Sequence, residues 1–221
     1  MIKNVIFDLD GTLLDTSAGI IESIQYTVDK MGSSSLSHEQ MLSFIGPSLQ
    51  RSFADVCGYD ENEVMRAVEL FRERYSSGAM YNAAPYEGIL SLCKRLRDDG
   101  IAVAVATNKK EDLARKVLSH FGFDKYCRPI HGADPNAHLK KSDIILLCMG
   151  EMNAASEETV MVGDTMGDAK GAREAGIAFL PVSYGFGDFD GMDLTEYHCA
   201  GIASSPADIG TYIRGKEISL Q

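Results

Sequence analysis

The chain has no long apolar run. Its longest candidates, Ile101 to Ala106 and Ile144 to Met149, fall well short of a membrane span and suit buried elements instead. The N-terminal run Val5-Ile6-Phe7 is interrupted by Asp8 and Asp10 and is too short for a signal peptide. Basic residues are also few: 21 Lys and Arg face 32 Asp and Glu, for a formal net charge of −11. An acidic surface repels nucleic acid and anionic membrane, so neither is expected as a partner. It repels phosphorylated small molecules too, so any phosphate site here must be locally positive or hold a cation. The five cysteines (Cys57, Cys93, Cys127, Cys148 and Cys199) are odd in number, scattered, and without a C-x-x-C pair. That argues against a disulfide framework and against a zinc site, and points to the reducing cytoplasm. Internal repeats and low-complexity tracts are absent as well.

What is present is a change of texture along 221 residues, 45% of them hydrophobic, enough for one core or a core with a small inserted domain. Val5-Ile6-Phe7 fits a buried strand ending at an acidic turn. From Thr16 the spacing is helical: Ile20, Ile24, Val28 and Met31 precede a stop at Gly32. Ser37 to Gln40 has the form of a capping box, Pro47 suits the first turn of a helix carrying Leu49, Phe53 and Val56, and Asp60 to Glu63 suits the start of another. After Pro85, strands alternate with helices. Ile101 to Ala106, Thr159 to Val162 and Ile177 to Val182 read as buried strands, which implies right-handed crossovers and a parallel sheet. The expected fold class is therefore α/β: a Rossmann-like parallel sheet core flanked by helices, built from 1–14 and 84–221, with an inserted all-helical cap domain over 15–83.

Ligands gather at the carboxyl ends of strands in such sheets. There the sequence places Asp8-Leu9-Asp10-Gly11-Thr12, then Thr107-Asn108, then Gly163-Asp164-Thr165-Met166-Gly167-Asp168, with Lys140-Lys141 ahead of the helix that leads to the Thr159 strand. Singly, each has an ordinary structural role, as turn, cap or solvated charge. Together they fit one chemistry. A carboxylate at Asp8 can attack phosphorus and form an aspartyl-phosphate. Asp10, two residues on, points to the same side of an extended chain and can serve as general acid and then base. An all-oxygen cluster suits a hard divalent cation, and a hydroxyl and a lysine can hold phosphoryl oxygens.

This set resembles the haloacid dehalogenase superfamily of phosphotransferases. Asp8-Leu9-Asp10-Gly11-Thr12 is similar to its first motif, Thr107 to its second, and Gly163 to Asp168 to its fourth. The long gap before Thr107 resembles members with a helical cap, and Pro85-Tyr86-Glu87-Gly88 and Tyr184-Gly185-Phe186-Gly187 resemble the phosphoglycolate phosphatase-like branch. The resemblance implies a magnesium-dependent phosphatase acting on a small phosphorylated metabolite. In it Asp8 is the nucleophile and Asp10 the acid/base. Mg2+ is held by Asp8, the Asp10 carbonyl and Asp164, with Asp168 supporting the metal shell. Gly11, Thr107, Asn108 and a lysine bind the phosphate. The third motif departs from the usual Lys-Pro pair: Lys141 fits the branch better, with Lys140 as the alternative. A sugar-phosphate mutase of the same fold shares every core motif, and a phospho-aspartate receiver domain is a more distant reading. The cap is expected to open and close, with hinges near Leu14-Asp15 and Ala83-Ala84-Pro85, and Arg51 is a candidate contact for a substrate anion.

Overall fold

Strand β1 (Asn4–Phe7) is buried along its whole length, as an apolar run with no polar alternation requires. The computed structural model in which it is seen describes residues 1–134, 138–189, 194–199 and 201–215. The chain divides into two compact units, Met1–Leu14 with Pro85–Gln221, and Asp15–Ala84. Short strands β2 (Leu14–Asp15) and β3 (Ala84–Pro85) lie where the chain passes between them.

The Asp15–Ala84 unit is helical. Helix α1 (Ser17–Met31) buries Ile20, Ile24 and Val28 and ends at Gly32. Helix α2 (His38–Leu42) opens on the reciprocal capping box of Ser37 and Gln40. Helix α3 (Leu49–Cys57) corrects one expectation. Its cap is Ser48, whose hydroxyl accepts the Arg51 N–H, so Pro47 lies ahead of the helix rather than in its first turn. Helix α4 (Glu61–Ser76) is capped by Asp60 with Glu63 and buries Val64, Val68, Phe71 and Tyr75. A hydroxyl or carboxylate acceptor placed before the first turn thus sets each of these last three starts.

The other unit continues with α5 (Ile89–Asp98), β4 (Ala102–Lys110), α6 (Glu111–His120), β5 (Ile130–Ala133), α7 (Lys141–Met152), β6 (Thr159–Gly163), α8 (Met166–Ala175), β7 (Ala178–Pro181) and α9 (Pro206–Ile213). Its five strands form one parallel sheet in the order β5-β4-β1-β6-β7. This is an α/β fold with a Rossmann-like sheet flanked by helices. Strand β1 is central: Val5 lies opposite Val103 and Val160, and Phe7 opposite Val105 and Val162. The carboxyl ends of β1, β4 and β6 are therefore in register. The chain order reverses about β1, the place where open α/β sheets bind ligands. On one face Ile6, Ala104 and Met161 join Ile144, Ile145 and Cys148 of α7 and Ala169 and Ala172 of α8 in a sealed cluster.

The two-residue strands β2 and β3 were not expected from the sequence, and neither were β5 and α9. Strand β4 also runs on through Thr107 and Asn108 to Lys110, and its register with β5 shifts between Ala106 and Lys110. Thr107 and Asn108 thus belong to the strand itself rather than to the turn after it.

Candidate active site

Three carboxylates meet at the carboxyl edge of the sheet. Asp8 follows β1, Asp164 follows β6, and Asp168 stands in the first turn of α8. Each offers an oxygen within 4.8 Å of the others, and all three are buried. Lys141, the first residue of α7, reaches into them: its Nζ lies 2.8 Å from Asp8 Oδ1 and 2.7 Å from Asp168 Oδ1. Lys140 is exposed, and its N–H donates to Asp143 of the same helix. Of the two lysines, only Lys141 is drawn into the cluster.

The second oxygen of Asp168 accepts the Thr165 N–H at 3.0 Å and the Thr165 hydroxyl at 2.7 Å. One side chain therefore caps α8 and anchors Lys141. Asp164 is held on both oxygens: Oδ1 accepts the Thr12 hydroxyl at 3.0 Å and Oδ2 the Phe186 N–H at 2.9 Å. The Tyr184 hydroxyl in turn donates to the Thr12 carbonyl at 3.1 Å, and its ring packs on Tyr86 with centroids 4.7 Å apart. The stretches around Tyr86 and Tyr184 thus buttress the Asp164 loop. Gly11 completes the fit. Its φ is +78°, and a Cβ there would collide with the Asp164 carboxylate and with the Phe186 ring.

One ammonium serves several carboxylates, and the titration behaviour follows. Burial pushes the Asp8 carboxyl up to about 7; Lys141 pulls against this, while Asp168, Asp164 and Asp10 add to it. Burial and then Asp168 push Asp164 up to about 6, against the hydrogen bonds from Phe186 and Thr12. Burial disfavours the charge on Lys141, but Asp168 and Asp8 outweigh it, so the ammonium is held above its ordinary range. The cluster carries an excess of closely spaced hard oxygen donors, the donor set that suits a magnesium-sized cation.

The remaining residues named from the sequence fall into place unevenly. Thr107 is buried, and its hydroxyl accepts the Lys109 N–H at 3.2 Å. Asn108 is exposed. The Asp10 carboxylate is paired with Lys109 and lies outside the three-carboxylate cluster. Arg51 is exposed and pairs with Asp55 one turn on, so its own helix accounts for it. Sequence reasoning passed over Thr12, Phe186 and Lys109. The signals for Thr12 and Lys109 were present, as the last residue of Asp8-Leu9-Asp10-Gly11-Thr12 and as the lysine after Thr107-Asn108. Phe186 acts through its backbone, which no side-chain pattern reveals.

Comparison with known proteins accords with this geometry. The profile of the family described as haloacid dehalogenase-like hydrolase matches residues 5–182. The chain is 33% identical to a 5'-nucleotidase of Pseudomonas aeruginosa over 91% of its length and 92% of that protein. It is 30% identical to a phosphoglycolate phosphatase of Agrobacterium fabrum, over 86% of this chain and 84% of that one. The crystal structure of a predicted phosphatase from Clostridium acetobutylicum superposes with a TM-score of 0.88 at 30% identity, covering 97% of this chain and 99% of the other. From the sheet-edge cluster and from these relatives alike, the chain belongs to the haloacid dehalogenase-like hydrolase family and is one of its phosphatases.

Proposed function

We propose that the protein is a magnesium-dependent phosphatase that hydrolyses a small-molecule phosphomonoester through an aspartyl-phosphate on Asp8. The observation that carries this reading is the buried Asp8 at the end of the central strand, salt-bridged to Lys141 and clustered with Asp164 and Asp168. Asp8, Asp164 and the Asp10 carbonyl would hold the cation, with Asp168 supporting them. The cation supplies positive charge that lets an anionic nucleophile and an anionic ester approach each other.

The Asp8 carboxylate forms a bond to phosphorus. The bond from phosphorus to the ester oxygen breaks, its electron pair passes to that oxygen, and Asp10 gives that oxygen its proton. Water then attacks phosphorus and gives a proton to Asp10, and the Asp8 carboxylate leaves. Lys141 keeps Asp8 oriented, and Gly11, Thr107 and Asn108 hold phosphoryl oxygens. All of these residues lie in the α/β unit. The helical Asp15–Ala84 unit is proposed to act as a cap that selects substrate. The relatives direct attention to phosphoglycolate and nucleoside 5'-monophosphates as the first substrates to try. The five free cysteines suit a cytoplasmic setting.

The test is phosphate release from a panel containing phosphoglycolate, nucleoside 5'-monophosphates and p-nitrophenyl phosphate. Release should require magnesium, stop with EDTA, and be lost in Asp8→Asn. Release that survives Asp8→Asn would overturn the covalent mechanism.

A further inference from the structure

Lys109 is a lysine that neither the motif set nor the phosphate chemistry requires. Its side chain is only 8% exposed, although lysine is rarely buried unless it is paired. Its Nζ lies 2.8 Å from Asp10 Oδ1 and 2.9 Å from Asp10 Oδ2, so the ammonium sits across both oxygens of that carboxylate. The backbone that aims it is specifically built. Strand β4 continues past Ala106, its register with β5 shifts there, and the Lys109 N–H is tied to the buried Thr107 hydroxyl. On the β5 side a glycine is needed: a Cβ on Gly132 would come within 2.5 Å of the Lys109 carbonyl oxygen. The site therefore has two lysines with separate tasks. Lys141 reaches Asp8 and Asp168, and Lys109 reaches Asp10.

A carboxyl group that must deliver a proton to a departing oxygen has to sit within hydrogen-bond reach of it, and a short aspartate side chain has several rotamers open to it. An ammonium bonded to both oxygens removes that freedom. We propose that Lys109 is a positioning residue for Asp10: it holds the Asp10 carboxyl in one rotamer, and proton delivery to the leaving oxygen depends on that placement. The inference rests on the reading of Asp10 as the general acid.

The leaving group separates this role from phosphate binding and from simple support of the fold. Nitrophenolate departs readily without a proton, whereas an alkoxide needs one. The value of kcat/KM at saturating magnesium is compared for p-nitrophenyl phosphate and propyl phosphate in wild type, Lys109→Met, Lys109→Arg and Asp10→Asn. The expected result is that Lys109→Met loses at least about tenfold more kcat/KM, which reports the step up to departure of the leaving group, on propyl phosphate than on the aryl ester, part of the general-acid contribution. Lys109→Arg, whose planar fork can grip both oxygens, should move the ratio back toward wild type. Equal losses of kcat/KM on both esters, or no loss on either, would overturn the proposal. Should Lys109→Met fail to fold by thermal melting, Lys109→Gln is read by the same criterion. Asp10→Asn distinguishes the two levels. If it shows the imbalance and the Lys109 variants do not, the positioning role fails alone. If it falls equally on both esters, the acid assignment of Asp10 fails first.

Discussion

Charge at individual residues explains most of the site. Lys141 faces two carboxylates from a nearly sealed position, while Lys140 beside it is solvated. Lys141→Met should therefore lower kcat by about a hundredfold or more, the scale of losing one preorganised charge at a reacting centre. Lys140→Met should stay within about twofold of wild type, since exposed charges of this kind contribute little. Steady-state kinetics on the same ester checks both. The raised carboxyls make a second prediction. Asp8 moves from 3.8 to about 7 and Asp164 from 3.8 to about 6 on folding. Between those values the unfolded chain has released protons that the folded chain retains. Without a cation, stability falls as pH rises through that window and levels off above it. Magnesium relieves the repulsion among ionised carboxylates, so its effect on Tm should be larger near about pH 8 than near about pH 5. Equal shifts at the two values would show that these carboxyls do not bind it.

At the scale of elements, loops after β1 and β6 hold the site by tying to each other. The Thr12 hydroxyl on Asp164 is the direct link, and Thr12 is fully buried. Thr12→Val keeps the shape and removes the donor. The apparent affinity for magnesium, read from activity against magnesium concentration, should weaken by about tenfold or more, in line with lost outer-shell support at metal sites. The elements differed in how readable they were. Asp8 to Thr12 and Gly163 to Asp168 are local patterns directly after apolar runs, so both strand and site were legible together. Strand β5 was not: Ile130-His131-Gly132-Ala133 has no apolar run, and edge pairing to β4 makes it a strand. Helix α9 was readable in principle. Ser205 caps it, Pro206 opens it, and Asp208 follows in the first turn. The length of β4 depended on β5 and so could not be seen without it. Lys109 and Asp10 stand 99 residues apart in the chain, beyond any local pattern.

At the scale of the molecule, every residue assigned to the chemistry lies in one unit, Met1–Leu14 with Pro85–Gln221. The helical unit is then free to vary without altering the reaction. Replacing residues 15–84 by the equivalent insert of the P. aeruginosa 5'-nucleotidase should shift KM among substrates. It should leave the requirement for magnesium and for Asp8 intact. A chimera with unchanged preferences would mean that the α/β unit alone selects the substrate.

Strand β1 has a further consequence, for the order of events during synthesis. It leaves the ribosome before its sheet partners, β4 and β6, which begin at Ala102 and Thr159. Asp8 is made well before Lys141, Asp164 and Asp168, which surround it in the folded protein. Until β6 emerges, β1 has an unpaired edge and an unburied apolar face, the kind of surface that chaperones guard and that aggregates when unguarded. Closure of the sheet is a long-range event and correspondingly slow. A nascent chain therefore lacks the assembled cluster of Asp8, Lys141, Asp164 and Asp168 until β6 and the first turn of α8 have emerged.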